Sequence, residues 1–296
     1  MKPNMPAALC RWILPLLLFP LLLPLSARAG GYVDLDQSGG VQLYYEESGS
    51  GAPVVFVPGW TMTTRYFQRQ LDYFRGSGTT RFIVYDPRAQ GRSSKTLAGA
   101  NYVQHARDLK RFIDALGLKN VVLGGWSWGM DTVYAYIAIY GTANIRAVVN
   151  VDQTPCPLAP PEAGWTDGNV TVMKQFFDAF AGDRLGTTRA FVPTMFTAPL
   201  SADERDWMTA EAMMTPEPVA QLLFYDGWMF DHRETVRRIG VPRLYVVSAA
   251  HADAARAFLA HDDPAGQLTA LGGHAMFYDH APAFNARLSE FLAKLP

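Results

Sequence analysis

Residues 121–130 read Val121-Val122-Leu123-Gly124-Gly125-Trp126-Ser127-Trp128-Gly129-Met130, and a helical pattern continues from Met130 to about Tyr140. A short aliphatic run reads as a buried strand, so this segment is strand, glycine-rich turn and helix in direct succession. Within it lies G-x-S-x-G, a pattern that is common by chance but informative between a strand and a helix. Such a turn is strained, and glycines on either side of the serine remove side chains that would clash in it. The hydroxyl of Ser127 is then raised above the sheet at a helix N-terminus. There the Trp128 backbone N–H and the helix dipole can face a developing negative charge.

The rest of the chain repeats the alternation. Val54-Val55-Phe56-Val57 ends at Pro58-Gly59, and Phe82-Ile83-Val84-Tyr85 stops at Asp86-Pro87. Val41–Tyr45 alternates as an antiparallel starter strand, and residues 102–116 place Val103, Ala106, Leu109, Ile113 and Leu116 on one helical face. Ala147–Val151, Leu244–Val247 and Leu268–Leu271 are further strands, and Phe284–Leu295 is a closing amphipathic helix. The expected fold is α/β, a mainly parallel sheet with helices on both faces. Between residues 157 and 232 the alternation stops, and Pro, Met and aromatic residues dominate. This stretch is expected to be a helical cap inserted between two core segments, 30–156 and 233–296. Ser201 and Glu204 have the form of a capping box.

The first 29 residues have the order of a secretory signal. Lys2 and Arg11 precede an apolar run from Trp12 to Leu25, and Ala27-Arg28-Ala29 supplies a small-residue cleavage site. Pro15, Pro20 and Pro24 break a run already too short to span a bilayer. Export to the periplasm or medium is expected, with no stable membrane insertion after cleavage. Cys10 falls in the signal, which leaves Cys156 alone in the mature chain and excludes an internal disulfide. Lys and Arg total 26 against 27 acidic residues, a balance that gives no support for nucleic-acid binding. No metal-ligand spacing is apparent, and no cofactor is implied.

A serine needs a neighbouring base to act as nucleophile. Of six histidines, His274 follows a strand and Gly272-Gly273, on the same rim of the sheet as Ser127. His105 falls within a helix, His232 at the end of the insertion, and His280 near the start of the last helix.

With these stations in place the chain resembles the α/β-hydrolase superfamily over nearly all of its mature length, in its serine esterase and cofactor-free haloperoxidase-like branch. Val57-Pro58-Gly59-Trp60 is similar to the family's oxyanion loop, with Pro58 where His is usual. Asp86-Pro87-Arg88-Ala89-Gln90-Gly91-Arg92-Ser93 resembles its D-x-R-G-x-G-x-S turn, and Gly273-His274 its terminal histidine segment. The resemblance implies Trp60 as the second backbone oxyanion donor beside Trp128. It also implies a structural role for Asp86 and Arg88, expected to form a pair. Haloalkane dehalogenases and epoxide hydrolases of this fold use an Asp nucleophile, and the His-Gly-Gly-Pro loop of proline iminopeptidases is not matched.

The triad acid is the open position. The family usually carries it after the strand that precedes the histidine strand, where this chain has His251, with Asp253 two residues on. The other known place follows the strand after the nucleophile helix, where Asp152 stands. Asp152 is favoured, with Asp253 as the alternative. The resemblance implies hydrolysis of an ester or lactone by Ser127, His274 and Asp152, and the aromatic content, with Trp60, Trp126 and Trp128 around the site, suits a small or medium apolar substrate. Perhydrolase, haloperoxidase, peptidase and acyltransferase activities would use the same residues. A non-catalytic ligand-binding protein on this scaffold is the rival from another class.

Overall fold

The computed structural model describes Met1 and residues 29–35, 40–158 and 165–296. The predicted signal therefore lies outside the described residues, apart from Met1 and Ala29. In chain order the elements begin with β1 (Ala29–Asp34), β2 (Gln42–Gly49), β3 (Ala52–Val57), α1 (Gln68–Phe74), β4 (Thr80–Tyr85) and α2 (Tyr102–Ala115). They continue with β5 (Val121–Trp126), α3 (Gly129–Tyr140) and β6 (Ile145–Val151). Next come α4 (Val170–Gly182), α5 (Arg184–Thr194), α6 (Ala202–Met213), α7 (Glu217–Trp228) and α8 (Arg233–Arg237). The chain closes with β7 (Arg243–Val247), α9 (Ala252–Asp262), β8 (Gln267–Ala270), α10 (Met276–Asp279) and α11 (Ala281–Ala293).

The eight strands form one sheet in the order β1-β2-β4-β3-β5-β6-β7-β8. The pairs β1/β2 and β2/β4 are antiparallel, and every other pair is parallel. The expected α/β architecture is thus observed, with one more strand at its edge, β1, than the sequence pattern reveals. Strand periodicity sorts the core into two layers. Val55, Val57, Ile83, Tyr85, Val121 and Leu123 face α2, α3 and α9. Their neighbours Val54, Phe56, Phe82, Val84 and Val122 face α1, α10 and α11. Each such buried side chain contributes about 1.5–3 kcal/mol through removal of apolar surface from water.

Strand order reverses about β3, whose neighbours β4 and β5 have opposite connections, so the chain leaves adjacent parallel strands with room at their carboxyl ends. Among the described residues, helices α4–α8 lie between β6 and β7 in the chain. The Ser201–Glu204 capping box is present at the start of α6. The Trp60 indole N–H donates to the Ala220 carbonyl at 2.8 Å, tying α7 to the loop after β3. No helix of the described residues is long and apolar enough to cross a membrane.

Asp86 and Arg88 do not pair with each other, contrary to expectation. Arg88 makes a two-pronged contact with Asp108 of α2, at 2.6 and 2.7 Å. Asp86 instead accepts the backbone N–H groups of Thr64 and Arg92, both at 2.7 Å. The Asp86 carboxylate is taken up by the backbone of its own turn and of the segment before α1, so the guanidinium takes the carboxylate that the facing helix offers. Burial still pushes Asp86 up to about 6 despite these two bonds. Ala89, which replaces the motif glycine, has a φ of 63°.

Candidate active site

Ser127 connects β5 to α3 with a φ of 52°, a left-handed conformation that a side chain tolerates only under constraint. Its flanking glycines explain the tolerance. A Cβ on Gly125 would meet the Met130 backbone at 2.6 Å, and one on Gly129 would meet the Val57 carbonyl oxygen at 2.2 Å. Ser127 N–H donates to the Val151 carbonyl at 3.0 Å, which locks the turn to the next strand. Gly59 lies against the serine: a Cβ there would stand 3.0 Å from Ser127 Cβ and 3.6 Å from Oγ.

Asp152 sits one residue past β6 and has the same unusual φ, 52°. Asp adopts this region more readily than most residues, and here it turns the carboxylate back over the sheet. Oδ2 lies 2.8 Å from His274 Nδ1. Oδ1 accepts the Ser248 N–H at 2.7 Å and contacts His251 Nδ1 at 3.0 Å. Burial by itself would raise this acid, but the histidine hydrogen bonds outweigh it and hold Asp152 well below the ordinary carboxylate range. Asp253 is elsewhere: its fully exposed side chain pairs with Arg256 within α9.

The His274 loop is fixed on several sides. The Trp126 indole donates to the His274 carbonyl at 2.9 Å, and Ala275 N–H donates to Met195 at the end of α5 at 2.8 Å. Ala249 N–H donates to Gly272 at 3.0 Å and joins the loops after β7 and β8.

Ser127, His274 and Asp152 all line one cavity of about 620 Å³, together with Trp60 and Trp128. Trp60 and Trp128 meet edge to face at 5.8 Å, and Trp60 also packs on Phe176 and Phe224 at 6.0 and 5.5 Å. Phe176 and Phe224 come from α4 and α7, so those helices supply much of the apolar wall. The arrangement has the parts of an acyl-transfer site: a constrained hydroxyl, an imidazole oriented by a carboxylate, and a largely apolar cavity beside a helix N-terminus. Among the described residues no group of three or more His, Cys, Asp or Glu side chains is placed to hold a metal.

Sequence reasoning gives no role in this cavity to its two further titratable residues, His251 and Asp167. His251 was passed over because an imidazole cannot replace a carboxylate; its contact with Asp152 depends on β6 and β7 being neighbours, which no local pattern reveals. His280, by contrast, bonds Thr197 Oγ1 at 2.8 Å beside Asp279.

A model of the α/β hydrolase fold family matches residues 52–237. A provisionally named non-heme chloroperoxidase of Synechocystis sp. is 28% identical over 277 residues, 88% of this chain and 98% of that protein. The pimeloyl-[acyl-carrier protein] methyl ester esterase of Vibrio cholerae is 27% identical over 85% of this chain and 98% of its own length. Among solved structures, a bromoperoxidase from Bacillus anthracis superposes with a TM-score of 0.80 at 24% identity, covering 90% of this chain and all of that one. An esterase from Exiguobacterium antarcticum gives 0.81 at 20% identity over the same shares. On its matched sequence and its strand order, the chain belongs to the α/β hydrolase fold family.

Proposed function

We propose that the protein is an exported serine hydrolase that cleaves a carboxylic ester or lactone. The observation that carries this reading is the constrained Ser127 on the same cavity as His274, whose Nδ1 is bonded to Asp152. His274 takes the Ser127 proton as Oγ attacks the ester carbonyl. The Trp60 and Trp128 backbone N–H groups stabilise the oxyanion, a contribution of about 10² to 10³ in rate per donor. His274 then protonates the leaving alcohol, and water repeats the cycle on the acyl-enzyme. Asp152 fixes the imidazole tautomer throughout. Residues 157–232 act as a cap over the core formed by 30–156 and 233–296, and their aromatic side chains receive an apolar acyl group. The esterase relatives support a small-molecule ester as substrate.

Relatives named as haloperoxidases favour a second reading at the same residues, in which hydrogen peroxide replaces water on the acyl-enzyme and releases a peracid. Steady-state hydrolysis of p-nitrophenyl esters, with and without peroxide, tests both. Ester turnover that Ser127→Ala abolishes supports the hydrolase, and peracid formation at a comparable rate supports the second reading. An inert wild type whose Ser127 resists a fluorophosphonate overturns both.

A further inference from the structure

The Asp152 carboxylate is shared by two imidazoles, one on each oxygen. An ionised carboxylate only accepts hydrogen bonds, so His251 Nδ1 must carry a proton and donate it to Oδ1. The Ser248 N–H occupies the same oxygen, which leaves Oδ2 for His274. His251 ends the short turn Ala249–His251 and immediately precedes α9, on the loop that Ala249 ties to Gly272 of the histidine loop. Its half-buried ring lines the cavity. The charged and titratable groups that bear on it are Asp152 after β6, Asp167 on the loop beyond, and His274 after β8; Asp253 on α9 is fully exposed and paired with Arg256.

We propose that His251 is a positioning residue of the triad, which clamps Asp152 from the side opposite His274 and places a titratable positive charge on the same carboxylate. The inference rests on the serine-hydrolase reading for its kinetic consequences. The hydrogen bond to Asp152 also holds His251 in its charged form to higher pH than an ordinary histidine. A cation on Oδ1 weakens the support that Asp152 gives to a protonated His274.

The experiment compares wild type with His251→Ala and His251→Asn, by pH profiles of kcat/KM and by NMR titration of the histidine imidazoles. His251→Ala is expected to lower kcat about tenfold with KM within about twofold, and to move the acid limb of kcat/KM. His251→Asn keeps a donor near Oδ1 but no charge. It is expected to restore kcat to within about threefold of wild type while its acid limb stays shifted. The His251 titration midpoint is expected to fall in Asp152→Asn, a readout that needs no turnover. A wild-type kcat and unmoved acid limb in His251→Ala, or a His251 midpoint indifferent to Asp152→Asn, overturns the proposal. Loss of all Ser127-dependent hydrolysis in wild type would instead strike the functional reading, with the NMR titration still deciding the link between His251 and Asp152.

Discussion

Nδ1 of His274 lies 2.8 Å from Oδ2 of Asp152, a residue 122 positions earlier in the chain. The two meet because β6, β7 and β8 are neighbours whose carboxyl ends open on the same rim, and Asp152 N–H is itself bonded to Val246 of β7 at 2.9 Å. Asp152→Asn is therefore expected to lower kcat by roughly 10⁴, the cost of leaving the imidazole in the wrong tautomer. Asp253→Asn should stay within about twofold of wild type. Steady-state kinetics on the two variants checks this, and equal losses would contradict the assignment.

The glycines around Ser127 separate stability from chemistry. Gly129→Ala forces a Cβ against the Val57 and Pro58 carbonyls, both backbone atoms unable to give way. It is expected to cost about 1–3 kcal/mol or more in urea unfolding. In Gly59→Ala the nearest atoms to the new Cβ are the serine side chain and the Trp126 carbonyl, at 3.0 Å and beyond. There the unfolding midpoint should move little, while kcat/KM falls at least tenfold because the methyl crowds Oγ and the oxyanion.

Arg88 and Asp108 form a buried ion pair with side chains 10% and 1% exposed. Removing one partner strands a charge away from water, so Arg88→Met or Asp108→Leu alone should destabilise by about 3–5 kcal/mol. The double replacement should recover most of that loss. Chemical denaturation of the three variants gives the coupling directly.

His105 on α2 is wholly buried, and burial pushes it down to about 4. Its contribution to stability is then present above the unfolded value near 6.5 and is lost as pH falls from 6.5 toward 4, where the unfolded chain alone takes up the proton. The wild-type unfolding free energy should decline across that window by up to about 3 kcal/mol from this one group. In His105→Gln the decline should be smaller by that amount. Urea titrations between pH 7.5 and 4 measure it.

The apolar wall sets acyl size. Phe224 packs on Phe176, Trp60 and Trp128. Phe224→Ala enlarges the cavity, and the chain-length optimum for p-nitrophenyl esters should move to longer acyl groups by two or more carbons. An unchanged optimum would mean that the acyl group binds away from this wall.

The turn at Ser127 was legible in the sequence because steric necessity writes itself locally: only glycine fits at 125 and 129, and both are present. The strands β3, β4 and β5 were legible for a similar reason, as aliphatic runs that end in turn residues. The edge strand β1 was not, because Ala29-Gly30-Gly31-Tyr32 lacks a strand signature and gains its place only by pairing with β2. The partner of Arg88 was misread because Asp86 lies near in sequence, whereas Asp108 is brought to it by the packing of α2. The contact of His251 with Asp152 likewise belongs to strand order, not to spacing.

The most direct test of the account is the pre-steady-state reaction of the protein with a p-nitrophenyl ester, in wild type and Ser127→Ala. An acyl-enzyme on Ser127 predicts covalent mass addition on that residue, with p-nitrophenol release that the variant loses. Turnover that survives in Ser127→Ala, or acylation of another residue, would contradict it.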